Sequence, residues 1–348
     1  MISLSKDRID KFRNVMQQSK PDIAIILTHL DPDAIACAKV SVNICAHFKK
    51  NVSIFYAGGL YHPQNIAIWN KFALAEDFKS LDKIDDIKKY DTILLDSSSL
   101  NDSRLKGLAI KPIIIIDHHL TNEKLEESEN TWFYIKSCGS AATLVVQLFL
   151  ALELEFQQGD DISTLAVIAL LTDADIKLLS KYVIPLDRDI YVILMKSADA
   201  SRARDTFASV KDLNYLKLFK RAIDNMEQVE GVTFTNIGFI EDNEVGYDAL
   251  LADELCAISG IKTIVVIATR KDYSTEIKVR TTDDKIELDS HIKERFGQEN
   301  GGGRHGKGAA RIPPPNKDDV PNTAKAREIF LNYRSQQILD KISKKISE

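Results

Sequence analysis

Ile113-Ile114-Ile115-Ile116-Asp117-His118-His119 is the stretch that decides the fold, because four consecutive isoleucines end abruptly in an aspartate and two histidines. Two other apolar runs end in the same way. Ile23–Leu27 is followed closely by His29, Asp31 and Asp33, and Thr92–Leu95 is followed by Asp96. Continuous Ile, Val and Leu runs are typical of strands that are buried on both faces, as in a parallel sheet. We therefore predict an α/β fold built on a parallel sheet.

Polar residues that commonly bind metals follow these predicted strands. In an open parallel sheet, ligands bind beyond the carboxyl ends of the strands, so such side chains are expected to meet at one edge. The candidates all follow a predicted strand or an apolar helix: His29, Asp31, Asp33, Asp96, Asp117, His118, His119 and Asp173. Carboxylates and imidazoles without thiolates suit Mn²⁺, Mg²⁺, Co²⁺ or Fe²⁺ better than a structural zinc ion. The set is large enough for two cations, which together can clamp a phosphoryl group and activate a water.

Composition narrows the classes of protein to consider. The chain has 348 residues and a net charge of −5. The length allows two domains. The negative net charge argues against a surface that binds long nucleic acid through counterion release. A short anionic substrate could still bind in one basic pocket. No apolar run approaches the ~20 residues that span a bilayer, and residues 1–8 lack the apolar core of a signal peptide. We expect a cytoplasmic protein that does not contact a membrane.

The organisation of the chain changes near Pro185. Before it, predicted strands and helices alternate, which favours βαβ units. After it comes a charged helical stretch, and then strand patterns at 232–240, 261–269 and 274–280. We predict a metal-binding catalytic domain over residues 1–185, a helical connector over 186–228, a smaller substrate-binding domain over 229–315 and a C-terminal helix over 316–348.

These motifs, taken in order, resemble those of the DHH phosphoesterases. Asp117–His119 after the isoleucine run is the motif that names the family, His29–Asp33 is similar to its first motif, Asp96 to its second and Leu171–Asp173 to its fourth. Gly301–Ala310 resembles the GGG-H…AA motif of the DHH-associated C-terminal domain, with Arg304 inserted before His305. The resemblance covers about residues 20–315. It implies a parallel-sheet DHH domain and a smaller α/β C-terminal domain that faces it across a cleft.

The resemblance also implies two divalent metal ions, Mn²⁺ in the first place with Mg²⁺ or Co²⁺ as alternatives. One ion would be held by His29, Asp31 and Asp96, and the other by Asp33, Asp96, His118 and Asp173, so that Asp96 bridges them. His29 lies two residues before Asp31, a short spacing similar to that of RecJ-like and archaeal members.

Further roles follow from the same resemblance. His119 would face the scissile phosphate, and Asp117 would orient the histidines or the attacking water. Gly301, Gly302 and Gly303 would present backbone N–H groups from a loop to the substrate, as glycine-rich nests do. Arg304 and His305 would neutralise a terminal phosphate or stack on a base.

The expected activity is two-metal-dependent hydrolysis of phosphodiester or terminal phosphate bonds in short single-stranded oligonucleotides, linear or cyclic dinucleotides, or 3′,5′-bisphosphorylated adenosine. A RecJ-like single-strand exonuclease is an alternative, supported by the short first motif. A non-catalytic replisome scaffold is an alternative of another class. Family II pyrophosphatases share the metal motifs but have a different C-terminal domain, so the triple glycine disfavours pyrophosphate. The oligomeric state stays open, with a homodimer as one option.

Overall fold

The computed structural model describes residues 3–60, 62–105, 107–119, 125–173, 183–208, 211–283, 285–304, 306–316, 320–321 and 323–346. The chain divides into two compact units. The first comprises Met1–Leu60 and Gln64–Val210, and the second comprises Tyr61–Pro63 and Lys211–Glu348.

The strands fall into two sheets. In chain order they are β1 (Asp22–Leu27), β2 (Asn51–Tyr56), β3 (Phe78–Ser80), β4 (Asp91–Leu95), β5 (Pro112–Asp117), β6 (Trp132–Ile135), β7 (Glu227–Val229), β8 (Val232–Phe239), β9 (Thr263–Thr269), β10 (Thr275–Thr281), β11 (Gly301–Arg304) and β12 (Lys307–Ile312).

The helices lie before, between and after these strands. In chain order they are α1 (Lys6–Gln18), α2 (Pro32–His47), α3 (Pro63–Lys71), α4 (Ala141–Ala151), α5 (Asp161–Thr172), α6 (Pro185–Leu194), α7 (Ala200–Ala208), α8 (Leu213–Asp224), α9 (Tyr247–Cys256), α10 (Leu288–Phe296) and α11 (Ala324–Ile346). Within the described residues, no helix is both long enough and apolar enough to cross a membrane.

The sheet of the first unit has the strand order β3-β2-β1-β4-β5-β6. All of its neighbouring strands are parallel, which confirms the predicted parallel sheet. The chain moves outward from β1 to β3, returns to the other side of β1 at β4, and moves outward again. The carboxyl ends of β1 and β4 therefore form a topological switch point, where open α/β sheets bind their ligands.

Apolar side chains cover both faces of this sheet. On one face, Ile23, Ile25 and Leu27 of β1 pack in a core that contains residues of α1, α2, α4 and α5. On the other face, Ala24 and Ile26 pack with residues of β2, β4 and β5. Because successive side chains of a strand alternate between faces, a strand buried on both sides needs a continuous apolar run. This explains the Ile-rich sequences from which the strands were predicted.

The sheet of the second unit has the order β11-β12-β10-β9-β8-β7. Only the β8–β9 pair is parallel among its described pairs. Val265 and Ile267 of β9 pack in a core with residues of α10 and α11, whereas Ile264 and Val266 pack with residues of α8 and α9. The predicted α/β character of this unit is confirmed. The helices α6 and α7 belong to the first unit and α8 to the second.

Candidate metal centre

The predicted metal-binding residues stand at the ends of elements in the first unit. His29 and Asp31 follow β1, Asp96 follows β4, and His118 follows β5. Asp33 lies in the first turn of α2, and Asp173 is the C-terminal capping residue of α5. The structure brings these side chains together in three groups, each with ligand atoms within 4.8 Å of one another: His29, Asp31, Asp96; Asp33, His118, Asp173; and Asp96, His118, His119.

The first group is built around His29. Its Nε2 atom lies 2.9 Å from Oδ2 of Asp31 and 3.3 Å from Oδ2 of Asp96. Two donor atoms that are each about 2.1 Å from one ion lie about 3 Å apart when they subtend a right angle. The three side chains therefore have the spacing of neighbouring ligands of a single divalent cation.

The second group is built around His118. Its Nε2 atom lies 3.3 Å from Oδ2 of Asp173, 3.8 Å from Oδ2 of Asp33 and 3.6 Å from Oδ1 of Asp96. Asp96 thus directs one oxygen to each group. This geometry allows the carboxylate of Asp96 to contact two ions at once.

The backbone of Asp96 is held in an uncommon conformation. Its φ of 52° lies in the left-handed region, and its N–H donates a 2.9 Å hydrogen bond to the carbonyl of Ile116. Aspartate tolerates this region better than most residues, but such outliers persist only where the surrounding structure holds them, often at functional sites. The conformation places the carboxylate of Asp96, whose side chain is only 2% exposed, between the two groups.

Two buried polar atoms at this centre test whether a cation fits. Among the described residues, Oδ1 of Asp96 and Nε2 of His118 are buried without a hydrogen-bond partner. Buried polar atoms nearly always have a partner, so each unpaired one requires an explanation. A divalent cation would satisfy both atoms, and the carboxylate and imidazole donors are those that Mn²⁺ and similar ions accept. The residues present fit the implied metals.

The ring of His118 is oriented for metal binding. Its Nδ1 atom lies 3.0 Å from the carbonyl oxygen of Cys138. A carbonyl can only accept, so Nδ1 carries a proton and donates it in this hydrogen bond, and Nε2 is the ring atom that would bind a cation. Nδ1 of His29 lies 3.1 Å from the hydroxyl of Thr28, which can hold that ring in the same tautomer.

Asp33 is fixed by the N-terminus of α4. Its Oδ1 accepts hydrogen bonds from the hydroxyl of Ser140 at 2.7 Å and from the N–H of Ala142 at 2.8 Å, and its Oδ2 accepts the N–H of Ala141 at 2.7 Å. Free N–H groups at a helix N-terminus stabilise an anion. The helix therefore offsets part of the cost of burying Asp33, which is 1% exposed.

Asp117 and His119 form a hydrogen-bonded pair beside the two groups. Nδ1 of His119 donates to Oδ1 of Asp117 at 2.8 Å, and the backbone N–H of His119 reaches the same oxygen at 3.1 Å. The side chain of Asp117 is 1% exposed, whereas that of His119 is 41% exposed. Asp117 therefore holds the His119 ring from the protein interior, while the ring itself stays partly exposed.

The density of carboxylates shifts the pKa values of the centre. Burial and repulsion from Asp96 raise the pKa of Asp33 to about 8. Burial and the nearby charge of Asp31 raise the pKa of Asp96. Burial alone would lower the pKa of His118, but the carboxylates of Asp173, Asp33 and Asp96 outweigh it and raise that pKa to about 10. This excess of negative charge favours a cation.

The triple glycine has a packing role in the second unit. Gly301–Arg304 form the edge strand β11, so the prediction of a loop was wrong. A Cβ atom at Gly301 would lie 2.7 Å from the carbonyl oxygen of Ala309 and 2.7 Å from Cγ2 of Ile292. The glycines let α10 approach β11 closely, because no side chain separates them.

The predicted substrate contacts of this segment have a mixed outcome. The N–H of Gly303 already donates to Oδ1 of Asp289 at 2.9 Å. The side chain of Arg304 and all of His305 lie outside the described residues. Substrate binding by Gly301, Gly302, Gly303, Arg304 and His305 stays a prediction.

Several residues that position this centre were not predicted as part of it. The hydroxyl of Thr28, the carbonyl of Cys138 and the hydroxyl of Ser140 each contact a candidate ligand. Ser140 also caps α4, because its hydroxyl accepts the N–H of Ala142. Its contact with Asp33 joins residues far apart in sequence, and no local pattern announces such a contact.

Comparisons with known proteins agree with this architecture. Residues 23–172 match the model of the DHH family, N-terminal domain. No protein with a curated description matches the chain.

Solved structures with a similar fold span almost the whole chain. An exopolyphosphatase-related protein from Bacteroides fragilis has a TM-score of 0.69 at 15% identity, covering 95% of this chain and 97% of that one. A putative family II inorganic pyrophosphatase from Methanococcus jannaschii has a TM-score of 0.45 at 17% identity, covering 88% and 99%. The exonuclease RecJ bound to manganese has a TM-score of 0.45 at 12% identity, covering 99% and 98%. The first similarity shows a shared fold, and the other two are too distant to add to it.

Proposed function

Because residues 23–172 match the model of the DHH family, N-terminal domain, we propose that this protein is a two-metal-dependent phosphoesterase. It hydrolyses phosphodiester or terminal phosphate bonds of short oligonucleotides or dinucleotides. Its cofactors are two divalent ions, with Mn²⁺ as the first candidate. The cytoplasmic location and the open oligomeric state stay predictions from the sequence.

The observation that carries this proposal is the position of Asp96. Its Oδ2 lies 3.3 Å from Nε2 of His29 and its Oδ1 lies 3.6 Å from Nε2 of His118, so one buried carboxylate joins two groups of ligands. Two such groups that share a carboxylate are the arrangement that a pair of ions requires. His29 and Asp31 would complete the first group, and Asp33, His118 and Asp173 the second.

The bound ions would polarise the phosphoryl oxygens and lower the pKa of a water so that it can attack phosphorus near neutral pH. The protein's own contribution is proton transfer and orientation. Asp117 holds the proton on Nδ1 of His119, which directs Nε2 outward. Burial would lower the pKa of His119, but the hydrogen bond to Asp117 and the charge of Asp96 raise it. In its protonated form, His119 can donate the proton on Nε2 to the leaving oxygen as the P–O bond breaks.

Short substrates are favoured over long nucleic acid by the net charge of −5. A protein that neutralises many phosphates along a strand needs a large basic surface, whereas a dinucleotide needs only one local site. The exopolyphosphatase-related fold neighbour adds inorganic polyphosphate as a substrate to test.

The test is a substrate panel with protein that has been stripped of metal and then titrated with Mn²⁺. It contains linear and cyclic dinucleotides, short oligoribonucleotides, long single-stranded DNA, 3′,5′-bisphosphorylated adenosine, pyrophosphate and polyphosphate. We expect Mn²⁺-dependent hydrolysis with the highest kcat/KM on the shortest nucleotides. Processive digestion of the long strand would support the RecJ-like alternative instead. Binding of no Mn²⁺ and hydrolysis of no substrate would support the scaffold alternative.

A further inference from the structure

Asp187 is a buried carboxylate that lies outside the ligand groups of the metal centre. It is the third residue of α6 and is 0% exposed. A buried charge is costly unless it is hydrogen-bonded, and Asp187 accepts three hydrogen bonds. One of them comes from its own helix, since Oδ2 accepts the N–H of Ile184 at 2.8 Å. This bond caps the first turn of α6.

The other two hydrogen bonds of Asp187 leave its helix and reach the segment that begins α4. Oδ2 accepts the N–H of Gly139 at 3.0 Å, and Oδ1 accepts the hydroxyl of Thr143 at 2.5 Å. A carboxylate that only capped α6 would need neither bond. Asp187 therefore fixes the chain on both sides of Ser140.

The turn Cys138–Ser140 contacts two candidate metal ligands. The carbonyl of Cys138 accepts the proton on Nδ1 of His118 at 3.0 Å. The hydroxyl of Ser140 donates to Oδ1 of Asp33 at 2.7 Å. Gly139, which Asp187 holds, lies between these two contacts. A shift of Gly139 would move the acceptor that sets the His118 tautomer and the donor that orients Asp33.

We propose that Asp187 is a positioning residue for the metal centre, which it controls through the turn Cys138–Ser140. This inference rests on the proposed function, because it assigns a task within the same centre. Asp187 touches neither ion nor substrate. It fixes the two partners that orient His118 and Asp33, which is why its effect falls on the ion held by those residues. The ion held by His29 and Asp31 depends on it only through Asp96.

The variant Asp187→Asn tests this role with little change of shape. The amide has no charge and one acceptor oxygen in place of two, so Gly139, Ile184 and Thr143 can no longer all donate to it, and the bonds that remain are to a neutral group. Asp160→Asn is a matched control in the same unit. Asp160 caps α5 by accepting the N–H of Ser163 at 2.6 Å and does not contact the turn.

Two measurements are made well below the melting temperature of each variant. The first is a Mn²⁺ titration followed by the electron paramagnetic resonance of free Mn²⁺. Partners that orient metal ligands typically contribute 10–100-fold in affinity, so we expect one of two Mn²⁺ equivalents to bind about tenfold more weakly in Asp187→Asn. The other equivalent should be unchanged, and Asp160→Asn should match the unsubstituted protein.

The second measurement needs no metal. It is hydrogen–deuterium exchange of the peptide that covers residues 138–143 in the metal-free protein. We expect faster exchange in Asp187→Asn. The N–H of Gly139 donates to Asp187 itself, and the N–H groups of Ala141 and Ala142 donate to Asp33, which this turn orients. Asp160→Asn should leave that peptide unchanged.

The outcomes separate the two proposals. Equal Mn²⁺ affinities, or equal exchange at 138–143, in Asp187→Asn and Asp160→Asn would reduce Asp187 to a helix cap and overturn its positioning role. If the unsubstituted protein binds no Mn²⁺, the proposed function fails. A metal centre is then absent, so the positioning role of Asp187 is overturned as well. If the unsubstituted protein binds Mn²⁺ but Asp187→Asn behaves like Asp160→Asn, only the positioning role is overturned and the phosphoesterase proposal stands.

Discussion

Oδ1 of Asp117 receives both the ring Nδ1–H of His119, at 2.8 Å, and the backbone N–H of the same residue, at 3.1 Å. This double contact fixes the ring against a carboxylate that is 1% exposed. The Asp117 carboxylate stays ionised, because the hydrogen bond and charge of His119 outweigh its burial and lower its pKa. We therefore predict that the two residues act as one catalytic unit.

Asp117→Asn should lower kcat by about 100-fold, the size expected when a general acid loses its orienting partner. Loss of the carboxylate also lowers the pKa of His119, whose protonated form is the active one. The alkaline limb of the pH profile of kcat should therefore move to lower pH. His119→Ala should cost about as much, and the double variant little more, because the two residues act together. Additive losses would separate their roles.

Asp96→Ala should abolish hydrolysis and reduce the number of tightly bound Mn²⁺ ions, because both groups of ligands share this carboxylate. Isothermal titration with Mn²⁺ and a steady-state assay on the best substrate check the two effects. Asp82→Ala serves as the control, since the Asp82 side chain bonds to Ser80, away from the ligand groups. Substantial activity of Asp96→Ala at saturating Mn²⁺ would contradict the bridging assignment.

The metal-free protein should lose stability as the pH rises. The pKa of Asp33 is about 8 in the folded protein and 3.8 ordinarily, so its contribution is full below pH 3.8 and is lost as the pH passes 8. The pKa of His118 is about 10 against an ordinary 6.5, so its contribution is full below pH 6.5 and is lost towards pH 10. Both groups therefore lower the melting temperature on the alkaline side.

Mn²⁺ should oppose this trend, since it binds the deprotonated ligands and its affinity rises with pH. Differential scanning fluorimetry from mildly acidic to alkaline pH, with chelator or with Mn²⁺, measures both slopes. In Asp33→Asn the metal-free slope should be shallower. A melting temperature that does not change with pH in chelator would show that the carboxylates are not coupled as the structure implies.

Gly301→Ala should destabilise the second unit by about 1–3 kcal/mol, the usual cost of overpacking a tight contact. The new Cβ would lie 2.7 Å from the backbone oxygen of Ala309, which cannot easily move. Gly302→Ala is the matched control, because its Cβ would meet only the side-chain atoms Oδ1 of Asp289 at 3.2 Å and Cε of Lys293 at 3.6 Å. Urea unfolding measures the difference. A rise of KM in Gly302→Ala at unchanged stability would instead indicate substrate contact.

Much of the first unit follows from the sequence, because a strand buried on both faces leaves a continuous apolar run. Ile113–Ile116 and Ile23–Leu27 are such runs, and the polar residues that end them lie together as expected. Strand β11 could not be predicted, because glycine is uncommon in strands. Glycines are needed at this strand because α10 packs closely against it. The sequence of residues 63–78 predicts one helix, but in the structure the helix ends at Lys71 and β3 begins at Phe78.

Contacts between distant segments account for the rest of what the sequence could not reveal. A serine before the apolar run of α4 indicates a helix cap, but the contact of Ser140 with Asp33 spans 107 positions of the chain. Asp187 lies in a charged helical stretch that was interpreted as a connector, and its link to Gly139 spans 48 positions. A side chain that serves a partner so far away has no periodic or compositional signal.

The candidate ligands come from the ends of β1, β4, β5 and α5, and this dispersal has a consequence for how the protein acquires its metals. No short stretch of the unfolded chain holds a complete set, so an ion gains its full coordination only after the parallel sheet has assembled. The metal would then bind the native state almost exclusively and would stabilise it by mass action. The ions would bind after the sheet has formed and would slow unfolding of the native state. They would not direct the early steps of folding.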